Sequence, residues 1–204
     1  MPDTDCYLNC MTEVRYRISV VQSLDSGRID MGNPVIQREC VFLQLRKILE
    51  LIAFSSLCAH KEDYAAAYEN FKLHNQPKNM LRDLAKVNPE FYPTPYKPVD
   101  VRPDGRNILR NEDGFLTQDE FIILYKACNE ILHVRNPFVD PSIPIDIVYP
   151  VAQWVSRIQR LVAFHGVKLV GDTTRMIVVI PPDGPVRIAF GTKMPMPAPE
   201  VPGD

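Results

Sequence analysis

The run from Val41 to Ala59, VFLQLRKILELIAFSSLCA, constrains the fold more than any other segment. Its apolar residues do not keep to one stripe but go almost all the way round a helix. A helix of that kind belongs at the centre of a bundle, covered on several sides. Its longest apolar stretch, LELIAFSSLCA, is too short and too polar to span a bilayer, and so is VYPVAQWV near residue 150. The chain must therefore supply its own covering helices. Residues 6–25 offer Leu8, Met11, Val14, Ile18 and Val21 at helical spacing. SGRIDMGNP then breaks the pattern before the central helix, expected over 35–59. Shorter helices are expected over 61–73 and 78–87, and further core helices over 118–133 and 147–165. The last of these carries the one tryptophan, Trp154, with Gly166 as its C-cap.

Proline marks the rest of the chain. Nineteen prolines against nine glycines predict long irregular segments. The stretch 88–116 holds five prolines and two glycines and reads as a long loop, a kind of segment that often carries function. RMIVVI and VRIAF are short β-type runs separated by the turn signal PPDGP, and VKLV is a candidate third strand. The expected fold is mainly α: a helical bundle of four core helices plus short helices, with a small C-terminal antiparallel β-hairpin. The bundle occupies 1–166, the hairpin 167–193 is an appendage on the same domain, and 194–204 is a flexible proline-rich tail.

With 46% hydrophobic and 24% charged residues, the composition excludes wholesale disorder. A net charge of −2 gives no global basic field to draw the chain to nucleic acid or membrane. The acidic opening MPDTDCYLNC has no apolar core of a signal peptide, so a cytoplasmic protein without membrane contact is expected. Five cysteines, at 6, 10, 40, 58 and 128, form no CxxC pair and no even-numbered framework. They are read as free thiols, with no metal and no cofactor.

Residues 111–121, NEDGFLTQDEF, imitate part of a calcium-binding EF-hand loop. With Gly114 at loop position 6, Asn111, Asp113, Thr117 and Glu120 fall on ligand positions, but position 1 is Leu109, which has no side-chain oxygen. A capping box formed by Thr117 and Glu120, with Leu116 and Phe121 as the hydrophobic staple, accounts for the same letters.

Two groups of residues carry candidate chemistry. Arg46 and Glu50 stand i,i+4 on the most apolar helix, with Glu39 nearly on the same face. They form either an ion pair or an anion site in which Glu50 orients Arg46 toward phosphate. The choice depends on whether Glu50 consumes the guanidinium or leaves donors free. The second group is Leu132-His133-Val134-Arg135-Asn136-Pro137-Phe138, at the end of the 118–133 helix. Helix termination explains the order of residue types. It does not require histidine, arginine and asparagine together, which is also the set that metal-free phosphodiester cleavage needs. His60 reads as a helix end and His74 as part of a polar break. Arg102, Arg106 and Arg110 beside Tyr92 and Tyr96 could form an RNA-stacking surface, although interspersed acids favour a solvated loop.

A four-helix core with arginine, asparagine and histidine at the break between its last two helices resembles the HEPN superfamily, over roughly residues 6–165. The phrases DGFLT, LHVRNPF and QLRKILELIA also resemble uncharacterised bacterial proteins. The family's arginine-to-histidine motif has a formal match in Arg160-Leu-Val-Ala-Phe-His165, which has leucine where a polar residue is usual. The resemblance implies an RNA-binding protein and a metal-independent ribonuclease of a bacterial defence or toxin–antitoxin type, acting as a homodimer. In that reading His133 moves protons, Arg135 and Arg46 bind phosphate, and Asn136 orients. The alternative is a non-enzymatic interaction module that recruits a protein partner through its hairpin and tail, with RMIVVI as the strand edge.

Overall fold

The computed structural model describes residues 2–67, 77–101, 107–134, 138, 145–171 and 174–192. Two long helices open the chain, α1 (Thr4–Asp25) and α2 (Pro34–Ala59). The Asp3 side chain caps α1 by accepting the Cys6 N–H at 3.1 Å. Asn33 caps α2 through the N–H groups of Val35 and Ile36, and Pro34 takes the first helical position, where its missing N–H costs nothing. The buried stripe of α1 is Tyr7, Met11, Val14, Ile18, Val21 and Leu24. As its composition requires, α2 is the central helix: α1, α4 (Pro77–Val87) and α5 (Gln118–Leu132) all pack against it. Leu45, Ile48, Leu49, Ile52 and Ala53 are fully buried. Between α2 and α4 lies the short α3 (Lys61–Ala67), and α6 (Val151–Val162) packs on α1.

Helices α1, α2, α4 and α5 follow the expected periodicity, while the helix expected over 61–73 is described only over Lys61–Ala67, the remainder lying outside the described residues. The β part is larger than a C-terminal hairpin. Five strands, β1 (Thr94–Val101), β2 (Asn107–Asn111), β3 (Phe164–Lys168), β4 (Thr174–Val179) and β5 (Arg187–Thr192), form an antiparallel sheet in the order β2-β1-β3-β4-β5. Two of these strands lie within 88–116, so that stretch is not a loop throughout. Its prolines hid them, because proline removes a ladder donor and is uncommon inside a sheet. Here β1 meets β3 only at Thr94↔Gly166 and Pro95↔His165, and its ladder to β2 slips between Pro98 and Asp100. A strand paired this sparingly tolerates proline.

The last core helix is also shorter than its periodicity suggests. Pro150 is the N-cap of α6, and the helix stops at Val162. Gly166 is then not a C-cap but the middle of β3, held by β1 on one side and β4 on the other. Strand pairing overrides the local helical pattern here. The expected boundary between 166 and 167 falls inside β3. Val167, Met176 and Val178 bury their side chains in the same core as the helices. Arg15 of α1 ties down the β4–β5 turn by donating to the carbonyls of Pro181 and Gly184. No helix among the described residues is long and apolar enough to cross a membrane.

The capping box is present as its letters suggest. The Thr117 hydroxyl accepts the Glu120 N–H, the Glu120 carboxylate accepts the Thr117 N–H, and Leu116 and Phe121 are fully buried beside them.

Candidate functional site

Arg46 projects from α2 toward α5. Its Nε donates to Glu50 Oε1 at 3.0 Å, and its guanidinium carbon lies 5.6 Å from the centre of the Tyr125 ring. The arginine side chain is 32% exposed and Glu50 25%, so the pair sits at the rim of the core rather than in it. Glu50 takes the Nε position, and the Tyr125 side chain is a second hydrogen-bonding partner of the guanidinium. The arrangement is an oriented, half-exposed guanidinium stacked on an aromatic ring, a form suited to planar anions.

His133 is the C-cap of α5. Its backbone N–H reaches Asn129 O at 3.0 Å, its backbone is extended, and its side chain is exposed. His133 is eight residues past Tyr125, a rise of about 12 Å and a turn of about 80° around the α5 axis. No described hydrogen bond or ion pair joins it to Arg46. Arg135 and Asn136 lie outside the described residues, as do His74, Arg102 and Arg106.

The Arg160–His165 match has a different place. Arg160 is exposed and its Nη1 donates to Asp113 O at 3.0 Å, tying α6 to the segment before α5. His165 on β3 is fully buried. Its Nδ1 lies 2.8 Å from Val162 O and its Nε2 2.7 Å from the Tyr7 hydroxyl. A carbonyl only accepts, so Nδ1 carries the proton and Nε2 accepts from Tyr7. Burial pushes the His165 pKa down to about 4, although the Val162 carbonyl favours the charged form. The ring is a neutral strut between β3 and α1.

His60 is another strut. It is buried at the end of α2, with Nδ1 2.8 Å from Ser56 O and Nε2 2.9 Å from Asn88 Nδ2, and Asn88 also donates to Lys168 O. Tyr92 is buried with its hydroxyl on Leu116 O, so it offers no stacking face to RNA. Tyr96 lies against Phe164 in an edge-to-face pair. RMIVV is β4, an interior strand, so the sheet edge beside it is β5. A cleft of about 170 Å³ between α1 and α6 is lined by Gln22, Asp25, Ser26, Ala152, Val155 and Gln159. It is smaller than sites that enclose small molecules and holds no histidine or arginine.

Cysteine pairing was not legible. Cys6 and Cys58 form a disulfide, where free thiols were expected, and Cys10, Cys40 and Cys128 are free. The antiparallel α1–α2 hairpin brings the first turn of α1 to the last turn of α2, and Asp3 N–H donates to Cys58 O at 3.0 Å. Nothing local in the sequence pointed to Cys58 as the partner of Cys6.

Neither a known family model, nor a curated protein, nor a solved structure matches this chain.

Proposed function

We propose that the α2–α5 face binds the phosphate backbone of RNA, in a HEPN-like helical protein whose His133 serves as the proton-transfer group for metal-independent cleavage. The observation that carries this reading is the guanidinium of Arg46, lying over the Tyr125 ring and oriented by Glu50 at Nε and by the Tyr125 side chain. The donors that these two partners leave over are the ones offered to phosphate. Support also comes from His133, exposed at the C-cap of α5. Arg135 and Asn136 complete the proposed set, and a homodimer is part of the proposal.

The test is RNA binding and cleavage in excess EDTA, with end-labelled structured and unstructured RNAs. Arg46→Ala weakens binding for all sequences alike and lowers the salt slope by about one. His133→Ala abolishes cleavage and keeps binding. RNA binding that is absent at low salt, or unchanged by Arg46→Ala, overturns the phosphate face. Cleavage unchanged in a folded His133→Ala variant overturns the catalytic role.

A second reading has its own observation. β5 is an edge strand of the sheet, and Phe190 on it is 54% exposed. Such an edge accepts an extended segment from a protein partner. Removing 167–204 would take Val167, Met176 and Val178 out of the core, so the informative changes are a cut after Thr192 and Ala189→Pro. Partner capture unaffected by both discards this reading.

A further inference from the structure

At the junction of α1 and α2, three sulfurs gather. The Sγ atoms of Cys6, Cys10 and Cys58 all lie within 4.8 Å of one another. Cys6 and Cys10 are one turn apart on the same face of α1, and Cys58 comes from the last turn of α2. Cys58 is buried while the other two are partly exposed, so the cluster has a sealed floor and an open side. From these positions we infer that the reduced protein holds one soft d10 metal cation, such as Cu(I), at Cys6, Cys10 and Cys58. Nothing in the α2–α5 proposal is needed for this.

The chemistry of the donors sets the ligand class. Three sulfurs with no oxygen or nitrogen among them select thiophilic ions over calcium or magnesium. His60, two residues past Cys58, does not supply a fourth ligand, since both of its ring nitrogens are engaged with Ser56, Asn88 and Lys168. A three-sulfur set suits trigonal Cu(I). Zinc would need a solvent ligand to reach its preferred four. A bound cation deprotonates its thiol ligands outright.

Two equivalents of a low-molecular-weight thiol reduce the Cys6–Cys58 disulfide, giving two protein thiols and one small-molecule disulfide. Three protein thiols then bind one cation and release three protons. Exchange with the small-molecule disulfide re-forms the Cys6–Cys58 bond, returns two equivalents of small thiol, removes two ligands and expels the ion.

The experiment uses full-length protein, reduced and then freed of reductant under anaerobic conditions. Cu(I) is titrated against a chromophoric Cu(I) chelator, and Cd(II) is added separately as a probe of sulfur ligation by its charge-transfer absorbance. The expected result is one ion per chain and a Cd(II) absorbance that falls by one third in Cys10→Ser. Cys40→Ser and Cys128→Ser bind as the parent does, and the oxidised protein does not bind. Cys6→Ser provides a second partly exposed test position, with far-UV circular dichroism to confirm folding. Undiminished binding in a folded Cys10→Ser variant overturns the site. So does ion uptake that Cys40→Ser or Cys128→Ser reduces equally, or no uptake by the reduced protein.

Discussion

Acidification provides a sharp test of how the sheet is fastened to the bundle. His165 is fully buried, and its two nitrogens face a carbonyl acceptor and a hydroxyl donor. Burial holds its pKa at about 4 in the folded protein, against an ordinary value of 6.5. The folded-state pKa is depressed and the group is a base. The unfolded chain therefore takes up a proton as pH falls through 6.5, while the folded chain resists until about 4. Stability is full above 6.5 and declines through that interval, and the decline ends below 4. At 1.36 kcal/mol per unit, the gap corresponds to about 3 kcal/mol in all, of which about 2 kcal/mol falls between pH 6.5 and 5. That upper window precedes the titration of ordinary carboxylates in the unfolded chain, which would otherwise confuse the slope. Such a loss is a large share of the 5–15 kcal/mol that holds a typical domain together. Urea unfolding at pH 7, 6 and 5, followed by the fluorescence of buried Trp154, reads it directly. In His165→Asn, which can still donate to Val162 O, the whole curve starts lower but loses much of its slope. Equal slopes in the two proteins would refute the reasoning, because the proton uptake would then lie elsewhere.

Other expected outcomes rest on local geometry. Thr117→Ala removes one half of the capping box and lowers stability by about 1 kcal/mol, seen as a drop in Tm. A Cβ built on Gly166 would stand 2.7 Å from Tyr96 Cε2, so Gly166→Ala destabilises by about 1–3 kcal/mol. The pair Gly166→Ala with Tyr96→Ala should cost less than the sum of its parts, and strict additivity would exclude the clash. Val148 has φ of 60° in a tight turn closed by Tyr149 N–H to Ile147 O at 2.6 Å. Glycine accepts that conformation at no steric cost, so Val148→Gly should be neutral or stabilise by about 1 kcal/mol in urea unfolding. A clear loss would mean that the valine side chain contributes packing that outweighs the strain.

What the sequence revealed follows the range of the forces involved. The helices were legible because their burial repeats every three to four residues: the core face of α1 is the Met11-Val14-Ile18-Val21 stripe read from the letters. The capping box was legible because its two hydrogen bonds span three residues. β1 was not legible, because its prolines suppress the period-2 signal and its partners come from residues 107–111 and 165–166. The end of α6 failed for a related reason: β3 is made by pairing with β4, which no pattern within 147–165 encodes. The candidate site divides in the same way. The i,i+4 pair of Arg46 and Glu50 was readable, but the Tyr125 ring beneath the arginine was not. The fate of His165 depended on Tyr7, 158 residues away. The Cys6–Cys58 pairing, over a separation of 52, had no local sign at all.

One helix carries both proposed sites, and this makes their tests check each other. Arg46 and Cys58 are twelve residues apart on α2, or about 18 Å along its axis. No described hydrogen bond or ion pair joins them, and side chains that far apart contribute independently unless the element between them is disturbed. That element lies in the core, with Ile48, Leu49, Ile52 and Ala53 fully enclosed between the two positions. Arg46→Ala should therefore weaken RNA binding and leave metal uptake intact, while Cys10→Ser should do the reverse. A variant that loses both has damaged the packing of α2 and says nothing about either site. If reduction with metal loading changes RNA affinity in the parent, the two ends of α2 are coupled, and the coupling must be reciprocal: saturating RNA would shift metal affinity by the same factor.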